Sequence, residues 1–541
     1  MTREIVTIQL GHYSNFIGTH WWNIQETNFS YDPANPSEIN HDVLYREGET
    51  QKREVTYTPR LLVVDLKGSN GYLNEQGTLY DTSNSGSNEP ILWDDENLEV
   101  STESAIAKPK FIEDLDRPSK DLEEHFYDLE NSIKTWADYL IPRYHPRTLS
   151  FIKKYKHECS EQPFDVFTYG RALWNEPQFA DDFSDKIRKY VEECDFLQGF
   201  QILLDSTDAF GGLGSSCIQH LHDEYGKSII CFPSINYEST EPSMKSLVKA
   251  INTALSWQCI SENSSLFSPL CVGENSLFKC GSPRKFQYLN YNPELKYHSS
   301  ALLATALDTL TLRYRRKEYS NIVLSDLCAD LNKLGRKAAA TSLTLPFPMI
   351  EKRDLIDILD DFADSDSALW TSLTPFCDIS CERSMQCISL RGVPEDRLKR
   401  PLSEAKKQIS KPAYKCSSVH EMMTLFLACT CRTTATYLST IESGLKIKTP
   451  YPNIFNTNVT ENGNIAGWPV GIDVKSVPVM AGIHSGSSLG LMYESLHEQL
   501  RKVKNIKKYH TFLDSGLEED EFKECLEHLL DSKELYEDHY D

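Results

Sequence analysis

The chain has 541 residues, with 79 Asp and Glu against 56 Lys and Arg, and a formal net charge of −23. Neutralising a nucleic-acid backbone takes clustered cations, and binding to an anionic membrane surface takes a polybasic face, so so acidic a chain is read as neither. No apolar run reaches the roughly 18–20 residues of a membrane-spanning helix, and 25% charged with 40% hydrophobic residues is ordinary globular composition.

The opening Met1-Thr-Arg-Glu-Ile-Val has no apolar signal core and no run of arginines, so neither a secretory leader nor a mitochondrial presequence is expected. Ile5–Leu10 is a β-branched apolar run ending at Gly11, which suits a strand buried on both faces of a parallel sheet. Tyr13, Phe16, Ile17, His20, Trp21 and Ile24 then recur at helical spacing. Trp21 and Trp22 stand about 100° apart on such a helix, so one is expected in the core and the other toward a partner.

A second strand is expected over Leu61–Leu66, stopping before Lys67-Gly68-Ser69. Residues from about 70 to 130 turn polar and acidic, with the turn cluster Ser83–Asn88, and read as an exposed insertion. Helices are expected near 133–140 and from Phe183 to Leu197. A strand over Phe200–Leu204 leads to Gly211-Gly212-Leu213-Gly214-Ser215-Ser216, where a helix begins that Gly226 stops. Ser228–Phe232 is a further strand. Ala301–Leu312 is apolar nearly all round and predicts a buried helix, with Asp308 paired inside it. The acidic end carries one apolar stripe of Phe522, Cys525, Leu526, Leu529 and Leu530.

Three strand ends thus deliver small-residue segments to one edge of a parallel sheet, where such sheets bind ligands. The candidate binding residues are Gly11, His12, Asn15, Asp65, Gly211, Gly212, Gly214 and Ser215. Glycines there let backbone N–H groups approach a phosphate at a helix N-terminus, although the same glycines also serve close packing. His220 and His222 point to different faces and cannot chelate together. The fifteen cysteines are scattered without paired-histidine zinc spacing, so no metal is expected and the thiols read as reduced, as in the cytosol.

At these residues the chain resembles tubulin. Arg3-Glu-Ile-Val-Thr-Ile-Gln-Leu-Gly11, Tyr57-Thr-Pro-Arg60 with Asp65-Leu66, Cys194-Asp-Phe-Leu-Gln-Gly-Phe-Gln201 and Ser515–Phe522 are similar to its segments at both ends and in the middle. The Misato family of tubulin-related proteins resembles it more closely, through His20-Trp-Trp-Asn23, Asp42-Val-Leu-Tyr-Arg46, Val191–Asp195 and Ser300–Asp308.

The resemblance implies an α/β tubulin/FtsZ-like fold. Residues 1–300 would form a Rossmann-type GTPase-like domain, 301–316 a central buried helix, 317–490 a second α+β domain, and 491–541 acidic C-terminal helices. It also implies a role in mitochondrial distribution and morphology and in spindle assembly and chromosome segregation. A cytoplasmic protein associated peripherally with the outer mitochondrial membrane is expected. Its partners would be tubulin, the cytosolic chaperonin and prefoldin machinery, or mitochondrial surface proteins.

The departures from tubulin bear on chemistry. His12 and Phe16 replace glutamines, and Lys67 replaces an acidic residue beside the expected Mg²⁺ position. Phe210, Leu213 and Ser216 replace two glycines and a threonine of the phosphate loop. Pro346-Phe347-Pro348 is kept, but only Asn321, Asp326 and Asp330 stand in for the hydrolytic acid. A degenerate, non-catalytic site is expected, holding GTP or GDP weakly or not at all, with Lys67 as a metal-free counter-charge; the alternative is a self-assembling GTPase.

Overall fold

A computed structural model describes residues 3–31, 36–49, 53–80, 106–117, 125–238, 244–274, 282–317, 322–333, 335–364, 369–379, 384–405, 409–431, 433, 435–503 and 506–537. The Ser83–Asn88 cluster, Asn321 and the last four residues lie outside them.

The chain opens with β1 (Glu4–Leu10), every residue of which is buried, and passes through Gly11 into α1 (His12–Asn28). Strands β2 (Tyr45–Glu49) and β3 (Val55–Pro59) form an antiparallel pair, and β4 (Leu61–Lys67) follows. Next come the short helices α2 (Lys110–Leu115) and α3 (Leu129–Ser132), then β5 (Leu149–Lys156), α4 (Phe167–Trp174) and α5 (Pro177–Glu192). Strand β6 (Leu197–Asp205), α6 (Ala209–Tyr225), β7 (Ser228–Ser234), α7 (Met244–Asn263) and β8 (Leu266–Phe267) complete the first unit. Its six strands pair in parallel in the order β5-β4-β1-β6-β7-β8. Strand β1 is central, which is why its run is apolar on both faces.

Within the polar stretch at 70–130, Leu73, Phe111 and Ile112 are buried in the same core as α1. The stretch is therefore tied down at its described ends. Near 133–140 the chain forms a single 3-10 turn over Trp136–Tyr139 rather than a longer helix, held by the Asp138 carboxylate, which accepts the Lys134 and Thr135 N–H groups at 2.8 and 2.7 Å.

Helix α8 (Lys296–Leu310) is buried from Tyr297 to Leu310 and continues as a 3-10 turn to Tyr314. It starts one turn before the apolar run, because Tyr297, His298, Ser299 and Ser300 are themselves buried. After α9 (Leu324–Leu331), the second sheet is built from β9 (Ala340–Thr344), β10 (Thr371–Ser372), β11 (Met385–Arg391), β12 (Ala435–Ile441) and β15 (Val479–Ser485). Their order is β10-β9-β15-β11-β12, with only β11 and β12 parallel. Helices α10 (Leu355–Asp364) and α11 (Val419–Thr430) contribute to the core on one side of this sheet, and β13 (Leu445–Lys446) pairs with β14 (Ser476–Val477).

Asp308 on α8 ties the two units together. It accepts from Arg315 Nη2 at 3.0 Å, from Arg391 Nη1 of β11 at 2.6 Å, and from Gln25 of α1. The expected pairing of this buried acid is therefore present, with two arginines. Helices α12 (Leu489–Leu500), α13 (His510–Asp514) and α14 (Glu519–Tyr536) fold back on the first unit, where Phe522, Cys525 and Leu529 join the core of α6 and α7. Leu530, placed on that stripe by its spacing, is 39% exposed. Among the described residues no helix is long and apolar enough to cross a membrane.

Candidate functional site

Four of the eight candidate residues meet where β1 and β4 end. Gly11, at φ 114°, turns the chain into α1, a conformation that favours glycine. Asp65 is fully buried and engaged from several sides: Trp136 Nε1 donates at 2.8 Å, Asn15 Nδ2 at 3.1 Å and His12 Nδ1 at 3.3 Å, and the Leu66 N–H donates to its other oxygen at 2.8 Å. Burial alone would raise its pKa, but the contacts with His12, Leu66 and Asn15 hold the carboxyl below the ordinary range.

His12 packs against His157, which follows β5, with ring centroids 4.1 Å apart and the rings tilted by 33°, and meets Phe16 edge-on at 5.2 Å. The Lys296 ammonium lies 5.9 Å from the Phe16 ring, so an aromatic and a cation pack where the resemblance would place a nucleotide base. Lys67 is exposed at the end of β4.

The neighbouring strand end adds Asp205, the last residue of β6. Its carboxylate accepts the backbone N–H groups of Tyr13 at 2.9 Å and Ser14 at 2.8 Å. It also accepts the hydroxyls of Ser14 and Ser234, each at 2.7 Å. The first-turn donors of α1, which in this fold class face an anion, are thus taken by an internal one. The space is taken as well: a Cβ added at Gly11 would stand 2.6 Å from the Asp205 carboxyl. Burial raises the Asp205 pKa from its ordinary value against the pull of these four donors.

Gly211, Gly212, Gly214 and Ser215 are not a loop. Helix α6 starts at Ala209, two residues before the motif, so all four lie in its first two turns. Its N-terminal donors are also used: Phe210 N–H donates to the Asp208 side chain at 2.9 Å, Gly211 N–H to the Asp208 carbonyl at 3.1 Å and Ala209 N–H to Phe164 at 3.4 Å. Burial, together with nearby Asp205, pushes the Asp208 carboxyl well up.

The glycines serve a helix crossing instead. A Cβ at Gly212 would lie 1.9 Å from the Phe167 carbonyl of α4, and one at Gly170 of α4 would lie 1.8 Å from the Ala209 carbonyl. Gly214 similarly backs onto Leu204 and Leu10. Leu213 and Phe210, the departures from the tubulin pattern, are buried, and Phe210 packs edge-on against Phe164 at 5.1 Å. The Ser215 hydroxyl donates back to the Gly211 carbonyl at 2.8 Å within the helix.

The loose hydrolytic candidates are engaged locally. Asp326 accepts the Val323 N–H at 2.8 Å at the start of α9, and Asp330 pairs with Arg313. Trp21 and Trp22 are both fully buried, stacked with centroids 5.4 Å apart. The expectation of one outward tryptophan fails because α1 has neighbours on several sides, among them α8 and the 3-10 turn at Trp136.

Asp205, His157, Trp136 and Ser234 escaped the reading of the sequence. Asp205 is the last residue of β6 and follows the strand read at Phe200–Leu204, where the sequence offered an acid at a strand end. Nothing local marks His157 or Trp136, which reach the site only through the strand order β5-β4-β1-β6. Among the described residues, no group of three or more His, Cys, Asp or Glu could hold a metal ion.

Comparison with known proteins matches residues 3–117 to the Misato Segment II tubulin-like domain and residues 128–316 to the Tubulin domain. Over 99% of this chain and 99% of its own, Protein misato of Drosophila melanogaster is 34% identical. Protein misato homolog 1 is 34% identical in Danio rerio and 31% in Homo sapiens, each over 99% of this chain and 97% or 98% of its own.

Proposed function

The chain belongs to the Misato family of tubulin-like proteins, and on that premise we propose that it is a non-catalytic member that acts through protein contacts. Its proposed roles are mitochondrial distribution and morphology, and spindle assembly with chromosome segregation. It works from the cytoplasm and attaches peripherally to the outer mitochondrial membrane. Its partners are drawn from tubulin, the chaperonin and prefoldin machinery, and mitochondrial surface proteins.

The observation that carries the non-catalytic reading is Asp205. Its carboxylate lies against the α1 N-terminus, accepting from Tyr13 and Ser14. A phosphate there would have to displace a bound carboxylate and then sit beside it, close to a second acid, Asp208, and a third, Asp65. With that carboxyl in place, the Tyr13 and Ser14 N–H groups that a phosphate would need are already used. The engagement of Asp326 and Asp330 in a cap and an ion pair supports the same reading.

One observation favours the alternative, a self-assembling GTPase: Asn15 still donates to Asp65 at 3.1 Å, and Lys67, exposed two residues further along β4, is available as a counter-charge. Thermal unfolding with added GTP and Mg²⁺ separates the two. The non-catalytic reading expects no shift in midpoint, whereas a saturating ligand at 100 times its Kd would add about 2.7 kcal/mol. For the mitochondrial role, co-sedimentation with purified mitochondria is expected, and mild protease treatment of the organelles should abolish it. Survival of binding after protease, or binding to anionic lipid vesicles, would refute attachment through a protein.

A further inference from the structure

The sheet edges of this protein are treated unequally. In the first sheet β8 is only two residues long, and β5 carries Lys153, Lys154 and Lys156. In the second, β10 is again two residues long. Short strands and lysines are the usual means of keeping other chains from pairing. The opposite edge, β12, has neither.

Its sequence Ala-Thr-Tyr-Leu-Ser-Thr-Ile contains no charge, proline or glycine, and it runs in unbroken register along β11 from Ala435 to Ile441. Among the described residues no strand pairs with its outer side. Five of its seven residues are only half-buried, whereas β11 is buried throughout.

A cleft of about 570 Å³ runs along this edge. Its walls are Ala435–Ser439, the α11 residues His420, Thr424 and Ala428, and Arg313 with Ile322 opposite. Two cations stand over Tyr437: the Arg313 guanidinium 4.7 Å and the Lys333 ammonium 5.2 Å from the ring centre. Arg313 is paired with Asp330, while Lys333 donates to the Tyr437 hydroxyl at 2.5 Å and, among the described residues, forms no ion pair, Asp330 acting on it only through space.

We propose that the β12 edge and its cleft bind an extended, acidic segment of a partner protein, which adds a strand to the second sheet and places a carboxylate against Lys333. Backbone pairing along seven residues supplies affinity, and the cation supplies selectivity. A second copy is the poorer occupant, because two β12 edges joined symmetrically would bring the cations over Tyr437 toward their counterparts in an already acidic protein. The inference rests on the reading of a protein that works by contacts and names one contact. Its failure is distinguishable, since nucleotide binding reports on the Asp205 end and peptide binding on β12.

The test is hydrogen exchange and fluorescence anisotropy on the full chain. The probes are a ten-residue peptide alternating valine with glutamate and its counterpart with lysine in place of glutamate. The glutamate peptide is expected to bind and to slow exchange of the amides at 435–441, and the lysine peptide to do neither. Lys333→Glu, a change at an exposed side chain, should weaken the glutamate peptide by about tenfold or more. The proposal is overturned if the glutamate peptide leaves these amides unprotected, if both peptides bind alike, or if Lys333→Glu binds as the parent does. It is also overturned if the amides are already slow in the free protein and sedimentation shows a dimer, which would make a second copy the occupant.

Discussion

The Asp205 carboxylate accepts both the backbone N–H and the hydroxyl of Ser14, at 2.8 and 2.7 Å. One acid from the end of β6 therefore occupies the start of α1, the position at which an α/β fold of this kind ordinarily presents its donors to an anionic ligand. In effect, the protein carries its own anion.

Replacing that acid should expose the donors. Asp205→Ala leaves the Tyr13 and Ser14 N–H groups buried without an acceptor, and is expected to cost about 3 kcal/mol in urea unfolding. Inorganic phosphate at tens of millimolar should then raise the midpoint of the variant but not that of the parent. Equal phosphate response in both proteins would mean that Asp205 does not occupy the site.

The glycines of α6 make a separate prediction. A Cβ at Gly212 meets a backbone carbonyl at 1.9 Å, which can be relieved only by moving α4 from α6. Gly212→Ala should therefore lose roughly 2–3 kcal/mol of stability, the range of an overpacked core. Gly467→Ala, with nothing within 4 Å of the added atom, should stay within about 0.5 kcal/mol of the parent. Comparable losses in the two would argue against a packing role.

How much of this was legible beforehand follows from what each residue depends on. The strand of Ile5–Leu10 and the all-apolar helix around Ala301–Leu312 were readable because burial on every side leaves a composition that nothing else produces. Gly226 was readable because its left-handed conformation, φ 55°, is a local property. The glycine motif was ambiguous, since the same residues suit a phosphate or a neighbouring backbone, and only the approach of α4 distinguishes them. The donors to Asp65 come from α1 and the turn at Trp136, far apart in sequence, and no spacing encodes such convergence. Trp21 and Trp22 misled because a helical wheel assumes one wet side, which a central helix lacks.

The Asp308 network predicts strong dependence between its members. Arg391→Met removes one of two buried cations and is expected to destabilise by about 3–5 kcal/mol. Combined with Asp308→Asn, the cost should fall short of the sum of the single changes by 1 kcal/mol or more. Additive costs would show that the two residues do not share one interaction.

Acid should loosen the fold through histidines rather than through the site. Burial drives the pKa of His20 and of His484 down to about 3 and that of His41 to about 4, with Arg315 and Lys317 adding to the effect at His41. The unfolded chain binds protons at these groups below about pH 6.5 and the folded chain does not, so stability is full above pH 6.5 and declines as pH falls toward 3–4. At pH 5 each contributes a loss of about 2 kcal/mol relative to pH 7. The urea midpoint should drop accordingly, and His484→Gln, which keeps a polar group near Ser342 and Gln386, should flatten the pH dependence. An unchanged slope in that variant would contradict the assignment.

The most direct measurement is nucleotide content. The purified protein is denatured, and the supernatant is chromatographed against guanine nucleotide standards. An α1 N-terminus occupied by Asp205 predicts no stoichiometric GTP or GDP. One mole of guanine nucleotide per mole of chain would contradict it, and would require Asp205 to be displaced from Tyr13 and Ser14 in the protein as it exists in the cell.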